Sequence, residues 1–294
     1  MTAATEAVPV GAKEGRVASR IPIYLAITVI AAIWTIPSLG LLINSFRIPA
    51  NIRGSGWWSI FGNIFDTTTW TLQNYSEVLE GGFANAFANS LAVTIPAVVI
   101  PITVAAFAAY AFAWMEFPGR QIGFVVVVGL LVVPLQMALI PILRVYTQFD
   151  LNGTYPAVWL AHAGFGLPLA IYLLRNYMGS LPSSLIESAN IDGAGHFQIF
   201  TRLILPLSVP VLASFAIFQF LWVWNDFLVA LVFLGLDPDN RVLTTELADL
   251  AGRGEGALSL LPAAAFVTMI LPLVVFFALQ RYFVRGLTAG SVKG

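Results

Sequence analysis

The stretch ESANIDGA at residues 187–194 is a short polar segment that separates two long apolar stretches of the chain. It is followed by Phe197, Phe200 and the pair Leu205-Pro206. The flanking apolar stretches, near 157–178 and 208–234, are long enough to cross the hydrocarbon core of a bilayer, which takes about 20 helical residues. We therefore interpret the polar segment as a loop between two membrane spans.

The composition of the whole chain indicates an integral membrane protein. Of its 294 residues, 59% are hydrophobic and only 10% are charged, and the mean hydropathy is +0.85. A soluble domain carries roughly 25% charged residues. The formal net charge is −1. Because no basic stripe is present to neutralise phosphates, no nucleic-acid partner is expected.

Several classes of chemistry are excluded by residues that the chain lacks. There is no cysteine, which rules out disulfides, thiolate catalysis and cysteine-ligated metals. The only histidines are His162 and His196, too few for a histidine-built metal site. Lysine occurs only at Lys13 and Lys293, and neither follows the glycine that a P-loop requires. We therefore expect no catalytic residue, no metal and no bound ATP in this chain, and do not expect it to be an enzyme.

Six apolar segments are long enough to span the membrane as helices. They lie near 21–46, 89–114, 123–145, 157–178, 208–234 and 260–284. Prolines and glycines interrupt the second and fourth segments, which is tolerated at membrane depth where the freed backbone groups find partners. The predicted fold class is all-α: an integral membrane domain over residues 21–284 with six transmembrane helices. Residues 1–20 and 285–294 are predicted to be tails.

The basic residues that flank the segments predict the orientation of the chain. With a cytoplasmic N-terminus, nine Lys and Arg residues lie in the inside segments and five lie outside. Acidic residues lean the other way and crowd the last outside loop, at Asp237, Asp239, Glu246, Asp249 and Glu255. Both termini and the polar segment are therefore predicted to be cytoplasmic. Two long outside loops are expected, at 47–87 and 235–259.

The spacing within the polar segment predicts two short helices joined by a glycine turn. Ser184 and Glu187 have the spacing of a capping box, which satisfies free amides where a helix begins. Asp192 falls near the end of the first helix, where its side chain is expected to bond backbone amides at the Gly193 turn. A second helical stretch begins near Phe197. Such a knob fits both an ordinary loop that covers helix ends and a docking element.

The polar segment also resembles a known family. Glu187-Ser-Ala-x-x-Asp-Gly-Ala, followed by Phe197, Phe200 and Leu205-Pro206, resembles the EAA loop of binding-protein-dependent ABC importer permeases. Ser188 departs from the usual alanine, but a small residue is kept. The resemblance covers most of the chain, because QRYFVRGLTAGSVKG at 280–294, FGLPL at 165–169 and WVWND at 222–226 are similar to carbohydrate permeases of the maltose-transporter type. The last third is most similar to α-glucoside permeases.

This resemblance implies a type I ABC importer permease fold with a cytoplasmic coupling helix in the EAA loop, residues 182–206. In this family the coupling helix sits in a cleft of an ATPase subunit. The acids would hold it by hydrogen bonds, the small residues would allow close approach, and the phenylalanines would fill apolar pockets. The implied coupling residues are Glu187, Ser188, Ala189, Asp192, Gly193, Ala194, Phe197, Phe200, Leu205 and Pro206.

The resemblance also implies several partners. These are a second permease subunit that completes a heterodimer, a dimer of cytoplasmic ABC ATPase subunits that bind ATP–Mg, an extracytoplasmic sugar-binding protein, a sugar and the lipid bilayer. No cofactor is implied for this chain. The C-terminal tail would contact the ATPase subunits through Thr288, Gly290 and Lys293, with a frayed terminus as the alternative. The second outside loop would reach the binding protein through a flexible stretch at Gly252, Arg253, Gly254 and Glu255.

Candidates for the sugar pathway are polar and aromatic residues within the spans. Sugar sites combine aromatic faces with side chains that bond hydroxyls, and a carboxylate within a span is a functional hypothesis by default. An interhelical hydrogen bond that only fixes packing is the alternative. The partner permease supplies most sugar contacts in the maltose system. The candidates are Asn225, Asp226, Trp222, Gln136 and Gly166, with His162 either among them or facing water near the outer end of its span.

The predicted function is therefore that of a permease subunit of an ABC importer. It would move a sugar, such as an oligosaccharide or α-glucoside, across the cytoplasmic membrane of a prokaryote by alternating access. The alternatives are an ion-coupled secondary sugar carrier and a permease for another small polar solute. Ion-coupled carriers usually show an internal repeat with paired broken helices, and no convincing duplication is visible in this sequence.

Overall fold

The computed structural model describes residues 21–62 and 64–288, with the backbone alone described at residue 256 and at 281–288. In these ranges the chain is helical apart from turns and one isolated β-bridge between Arg47 and Trp70. The helices are α1 (Ile21–Ser45), α2 (Pro49–Gly54), α3 (Gln73–Trp114), α4 (Arg120–Gly129), α5 (Leu135–Gln148), α6 (Tyr155–Gly179), α7 (Ser183–Ile191), α8 (His196–Leu207), α9 (Val209–Trp224), α10 (Leu228–Leu234), α11 (Leu243–Gly252) and α12 (Leu261–Thr288).

Four helices of the described chain are long and apolar enough to cross a membrane by themselves: α1, α3, α6 and α12. Two further spans are bent pairs. The pair α4 (extended to Val132) and α5 meets at 103°, and the pair α8 and α9 meets at 70°. The prediction of an all-α membrane protein is confirmed, with four to six spans according to whether each bent pair counts as one.

The third and fifth spans were predicted to be continuous helices, and this prediction was wrong. The third is interrupted at Val133 and Pro134, whose extended backbone (ψ 116° and 126°) ends one helix and begins the next. Proline lacks an N–H and disfavours helical geometry in the residue before it. The fifth is interrupted at Asn225–Phe227, so α9 ends at Trp224 and α10 begins at Leu228.

The first outside loop is shorter than predicted because α3 begins at Gln73 rather than near residue 89. A turn of π-helix at Leu79–Phe83 joins the two parts of α3, and Gly82 there has a φ of 111°. The preceding loop folds around Arg47, which is 1% exposed. Its guanidinium donates to Asn44 Oδ1 at 2.9 Å and to the carbonyl of Asn51 at 2.8 Å. The loop is therefore an ordered cap.

Helices α3 and α6 pack along one another and form the centre of the bundle. Alanines make much of their contact, including Ala97, Ala105 and Ala161, and these are at most 3% exposed. Trp159 Nε1 donates to the carbonyl of Ala92 at 3.0 Å. Close packing of small residues is the usual way in which helices associate within a membrane. This central pair supports the polar segment at one end of the bundle and the last long loop at the other.

Two predictions concern residues that the structure does not describe, or describes only in part. The tail 1–20, Gly290 and Lys293 lie outside the described residues, and Thr288 is the last residue of α12. The orientation of the termini remains a prediction.

Candidate functional site: a two-helix knob

The EAA-like loop forms a knob of two short helices, α7 and the first turns of α8, joined by a glycine turn. Gly193 has a φ of 78°, and the amide of Ala194 donates to the carbonyl of Ala189 at 3.0 Å. This is the glycine-ended geometry that satisfies the last carbonyls of a helix. At the start of α8 the amide of Gly195 donates to Gln198 Oε1 at 3.2 Å. The predicted two-helix knob with a glycine turn is therefore present.

Two details of the predicted capping were wrong. Helix α7 begins at Ser183 with Pro182 in the capping position and no side-chain capping bond. Ser184 therefore lies within the first turn, too far along to cap it with Glu187. The amide of Asp192 donates to the carbonyl of Ser188 at 3.0 Å. The turn is made by backbone bonds, and the Asp192 side chain makes no hydrogen bond to the described residues.

One side of the knob is anchored in the bundle. Ile186, Ile199, Phe200 and Ile204 are at most 8% exposed and share a core cluster with residues of α3 and α6. The ring of Phe200 lies 4.7 Å from that of Phe107 and 5.3 Å from that of Tyr110. A hydrogen bond of 3.0 Å joins the Tyr110 hydroxyl and His196 Nδ1. The knob therefore moves with the ends of α3 and α6.

The other side of the knob is exposed. Glu187, Ser188 and Asp192 face solvent, and two large apolar side chains stand beside them, with Ile191 86% and Phe197 70% exposed. Of the other predicted coupling residues, Ala189, Ala194 and Leu205 are half-buried, and Pro206 is exposed. Phe200 is 3% exposed, so the apolar pocket that it fills is formed by this chain itself. Within the described chain it is an internal anchor.

A groove of about 550 Å³ runs along the knob between its two helices. Its walls combine small residues with one acid, one base and an amide. The lining residues are Ala189, Asp192, Gly193, Ala194, Gln198, Ile199, Arg202 and Leu203. Small residues at the rim permit a partner backbone to approach closely, and exposed apolar side chains beside polar ones are typical of docking surfaces.

The predicted sugar-pathway residues Trp222, Asn225 and Asp226 meet at the break between α9 and α10. Asp226 Oδ2 accepts a hydrogen bond from the amide of Ala230 at 3.1 Å and therefore caps α10. The same oxygen lies 3.7 Å from Nε2 of His162. The Trp222 ring stands edge-on to that imidazole at 5.0 Å. Asn225 is exposed and its Nδ2 donates to the carbonyl of Leu221 at 2.7 Å.

His162 is an integral part of this cluster rather than a water-facing residue. It is 1% exposed, so the alternative that it faces water was wrong. Neither ring nitrogen has a hydrogen-bond partner among the described residues. A small cavity beside it is also lined by Ser90, Thr94 and Asp226. A polar cluster of this kind inside an apolar bundle either fixes packing or contacts a polar ligand.

Gln136 and Gly166 do not join this cluster. Gln136 is exposed near the start of α5. Gly166 is buried, and a Cβ there would lie 2.6 Å from Gln219 Oε1. Gln219 Nε2 donates to the carbonyls of Ala97 at 3.2 Å and His162 at 3.3 Å. Gly166 therefore makes room for Gln219. The sequence analysis missed Gln219, although it is the lone amide side chain within the apolar α9.

Ion pairs join residues of the second outside loop in and next to 252–255, the stretch predicted to be flexible. Arg253 lies 2.7 Å from Asp249 and 3.5 Å from Glu246, and Arg241 pairs with the same two acids. Hydrogen bonding from Arg253 and the charges of Arg241 and Arg253 hold the pKa of Asp249 below its usual range. Gly252 ends α11, and Gly254 and Glu255 lie in the following helical turn. Glu246 is 6% exposed.

This loop is also fastened to α3. Asn89 Nδ2 donates to the carbonyls of Asp239 at 2.8 Å and Arg241 at 2.9 Å, and Asn89 Oδ1 accepts from the Tyr155 hydroxyl. The amide of Leu243 donates to Ser90 Oγ at 2.8 Å. These contacts were not predicted from the sequence, because they join residues 66 to 153 positions apart.

The helical bundle and its anchored, exposed knob define a polytopic membrane protein. The comparison with known families makes this specific. Residues 90–289 match the family described as "Binding-protein-dependent transport system inner membrane component", and the chain belongs to that family.

Two relatives are similar over most of this chain. The "Osmoprotective compounds uptake permease protein GgtD" of Synechocystis sp. is 58% identical over 275 residues, covering 93% of this chain and 92% of the relative. The "Alpha-glucoside transport system permease protein AglG" of Rhizobium meliloti is 58% identical over 261 residues, covering 85% of this chain and 68% of the relative. The recognition of an ABC importer permease family is confirmed.

A solved structure supports the fold. A chain of the bacterial alginate ABC transporter, in complex with alginate pentasaccharide-bound periplasmic protein, superposes with a TM-score of 0.63. The match covers 90% of this chain and 94% of that chain at 16% identity. At this identity the likeness concerns the fold.

Proposed function

We propose that this chain is one permease subunit of a sugar importer in the cytoplasmic membrane of a prokaryote. It pairs with a second permease and moves its solute by alternating access, driven by a dimer of cytoplasmic ATPase subunits that hold the ATP–Mg. Support comes from membership of the binding-protein-dependent family and from the α-glucoside relative at 58% identity. The excess of Lys and Arg on one side supports cytoplasmic termini.

The observation that carries this proposal is the two-sided knob. Its inner side is buried against α3 and α6 through Ile186, Ile199 and Phe200, while its outer side exposes Glu187 and Phe197. A surface that is rigidly joined to two membrane helices and free on its other face transmits a push from a partner into the bundle. Phe197 is the side chain best placed to enter a pocket of the ATPase.

The other proposed contacts follow from the same assembly. The sugar passes the cluster of Trp222, Asn225 and Asp226, where an exposed amide stands beside an aromatic ring and a carboxylate. Gln136 is a weaker candidate because it stands apart from this cluster. The ordered loop contacts the extracytoplasmic sugar-binding protein, and the C-terminal tail contacts the ATPase subunits. The residues concerned are Gly252, Arg253, Gly254 and Glu255 in the loop, and Thr288, Gly290 and Lys293 in the tail.

Reconstitution of the complete transporter in proteoliposomes tests the proposal. Uptake of an α-glucoside should require internal ATP and the binding protein, and should not respond to a proton or sodium gradient. Gradient-driven uptake without ATP would establish the ion-coupled carrier instead. Glu187→Lys should leave the assembly folded but separate ATP hydrolysis from uptake. The matched control is Glu80→Lys, which reverses an exposed acid in the π-helical turn of α3, away from the knob.

A second solute class is favoured by one observation, the name of the relative that takes up osmoprotective compounds. Competition between an α-glucoside and such compounds in the same vesicles distinguishes the two. If the osmoprotective compounds alone are transported, the importer assignment stands and the α-glucoside assignment fails.

A further inference from the structure

A cavity of about 740 Å³ opens between the beginning of α4 and the end of α6, away from both the knob groove and the polar cluster at Asp226. Two arginines line it, Arg120 and Arg175. They lie at the same end of the bundle, because Trp114 at the end of α3 donates from Nε1 to the carbonyl of Met178 near the end of α6. The cavity is therefore a basic recess at one end of the bundle.

Neither arginine is neutralised by a carboxylate within the described chain. The ion pairs among the described residues involve Arg241, Arg253 and His162 instead, and these lie outside the cavity. Arg120 Nη1 donates to the carbonyl of Met115 at 2.9 Å, and Arg175 Nη1 reaches Asn176 Oδ1 at 3.4 Å. The Nε of Arg175 is buried and has no hydrogen-bond partner among the residues that the structure describes. Two half-buried guanidinium groups with neutral partners favour an anion that can accept from both.

The backbone at the mouth of the cavity adds donors for the same anion. Helix α4 begins after Gly119, and its first residues, Arg120, Gln121 and Ile122, line the cavity. The amides of the first helical turn lack partners inside the helix and carry the positive end of its dipole. The arginines remain the principal donors, and the amides complement their charge.

Apolar residues form much of the cavity wall and continue onto an exposed apolar face of α4. The Arg175 guanidinium lies 4.8 Å above the ring centre of Phe124. Next to it on α4, Ile122 is 73%, Val125 63% and Val126 58% exposed. A soluble anion would fill only the basic part of this surface. A phospholipid would fill the basic part and the apolar part together, with its phosphate between the arginines and its acyl chains along the apolar face of α4.

We propose that this recess is a binding site for an anionic phospholipid, whose headgroup phosphate is held by Arg120 and Arg175. Basic pockets between transmembrane helices are the usual form of such sites. Arg175 lies four residues before Gly179, where α6 ends ahead of the knob. The bound lipid therefore sits next to the segment that joins the knob to the bundle.

Native mass spectrometry of the assembled transporter, with lipids added back after delipidation, tests this site. Phosphatidylglycerol should be retained more tightly than phosphatidylcholine with the same acyl chains. Replacing either arginine by glutamine should weaken phosphatidylglycerol retention about fivefold, and replacing both about 25-fold, since each basic residue near an anionic surface contributes about that factor. Arg175→Lys should retain most of the binding. Arg144→Gln is the matched control, because Arg144 is exposed on α5 and lies outside the cavity.

Three results would overturn the proposal. The first is equal retention of phosphatidylglycerol by the double variant and the unmodified chain. The second is displacement of phosphatidylglycerol by millimolar inorganic phosphate alone, which would identify a soluble anion as the ligand. The third concerns the variant Ile122→Cys, which introduces a single thiol into a chain without cysteine. A photoreactive label there should join to lipid, and joining to the second permease instead would identify a protein interface.

Discussion

Phe197 and Phe200 lie three residues apart in the knob, and their substitution by alanine should have opposite consequences. Phe200 is 3% exposed and its ring contacts those of Phe107 and Tyr110. Removing a buried phenylalanine costs about 3–5 kcal/mol. Phe197 is 70% exposed, and a surface substitution without buried contacts changes stability by about 0.5 kcal/mol or less.

Hydrogen exchange of the backbone amides in α7 and α8 measures the local stability of the knob in the two variants. A loss of about 3 kcal/mol in Phe200→Ala corresponds to roughly 100-fold faster exchange of amides that open with the knob, since 1.4 kcal/mol is a factor of ten. Phe197→Ala should leave those rates unchanged. Instead it should weaken association with the ATPase subunits, because an exposed aromatic side chain at a docking surface often dominates the binding energy.

The two variants are controls for one another, because both remove a phenyl ring from the same helix. If Phe197→Ala accelerated exchange as much as Phe200→Ala, the division of the knob into an anchored and a free side would be refuted. Unchanged exchange in Phe200→Ala would refute the anchoring itself. If Phe197→Ala associated normally with the ATPase subunits, this side chain would not be part of the proposed contact.

Two further substitutions test the bundle and the outer loop. Gly166→Ala should lower the free energy of unfolding by about 1–3 kcal/mol, because the new methyl group displaces Gln219 and leaves buried polar groups unpaired. Gly164→Ala is the control and should leave the free energy of unfolding unchanged, because a Cβ at this position has no atom within 4 Å. The pKa of Asp249 in the folded protein lies below its ordinary value of about 3.9. Its pairing with Arg253 therefore stabilises the fold above about pH 3.9, and this stabilisation is lost as the pH falls through the folded-state pKa. Because the pair is exposed, Asp249→Asn should cost about 0.5 kcal/mol at pH 7 and progressively less as the pH falls through the folded-state pKa, as measured by thermal unfolding.

Long uninterrupted apolar runs made α1 and α12 predictable from the sequence, because length and hydropathy alone decide a span. The break at Pro134 was not predictable in the same way. Pro96 and Pro101 lie inside the continuous helix α3, so proline alone does not mark a break. Whether the chain bends depends on whether neighbouring helices satisfy the freed backbone groups. That is tertiary information.

The knob was predicted in outline and missed in detail for a similar reason. Gly193 revealed the turn, since a left-handed residue ending a helix is usually glycine. The opposite burial of Phe197 and Phe200 depends on the position of Phe107 and Tyr110, which belong to α3. The pairing of His162 with Asp226 joins positions 64 residues apart. Local spacing carries no signal for such contacts.

The length of α3 has a mechanical consequence. Beyond the kink at Gly82, its 31 residues from Ala84 to Trp114 measure about 46 Å at 1.5 Å per residue, about one and a half times the thickness of the hydrocarbon core. One end holds the last long loop through Asn89, and the other meets the knob through Phe107 and Tyr110. The helix is therefore a lever that joins the two faces of the bundle. A tilt of about 5° over that length displaces one end by about 4 Å relative to the other.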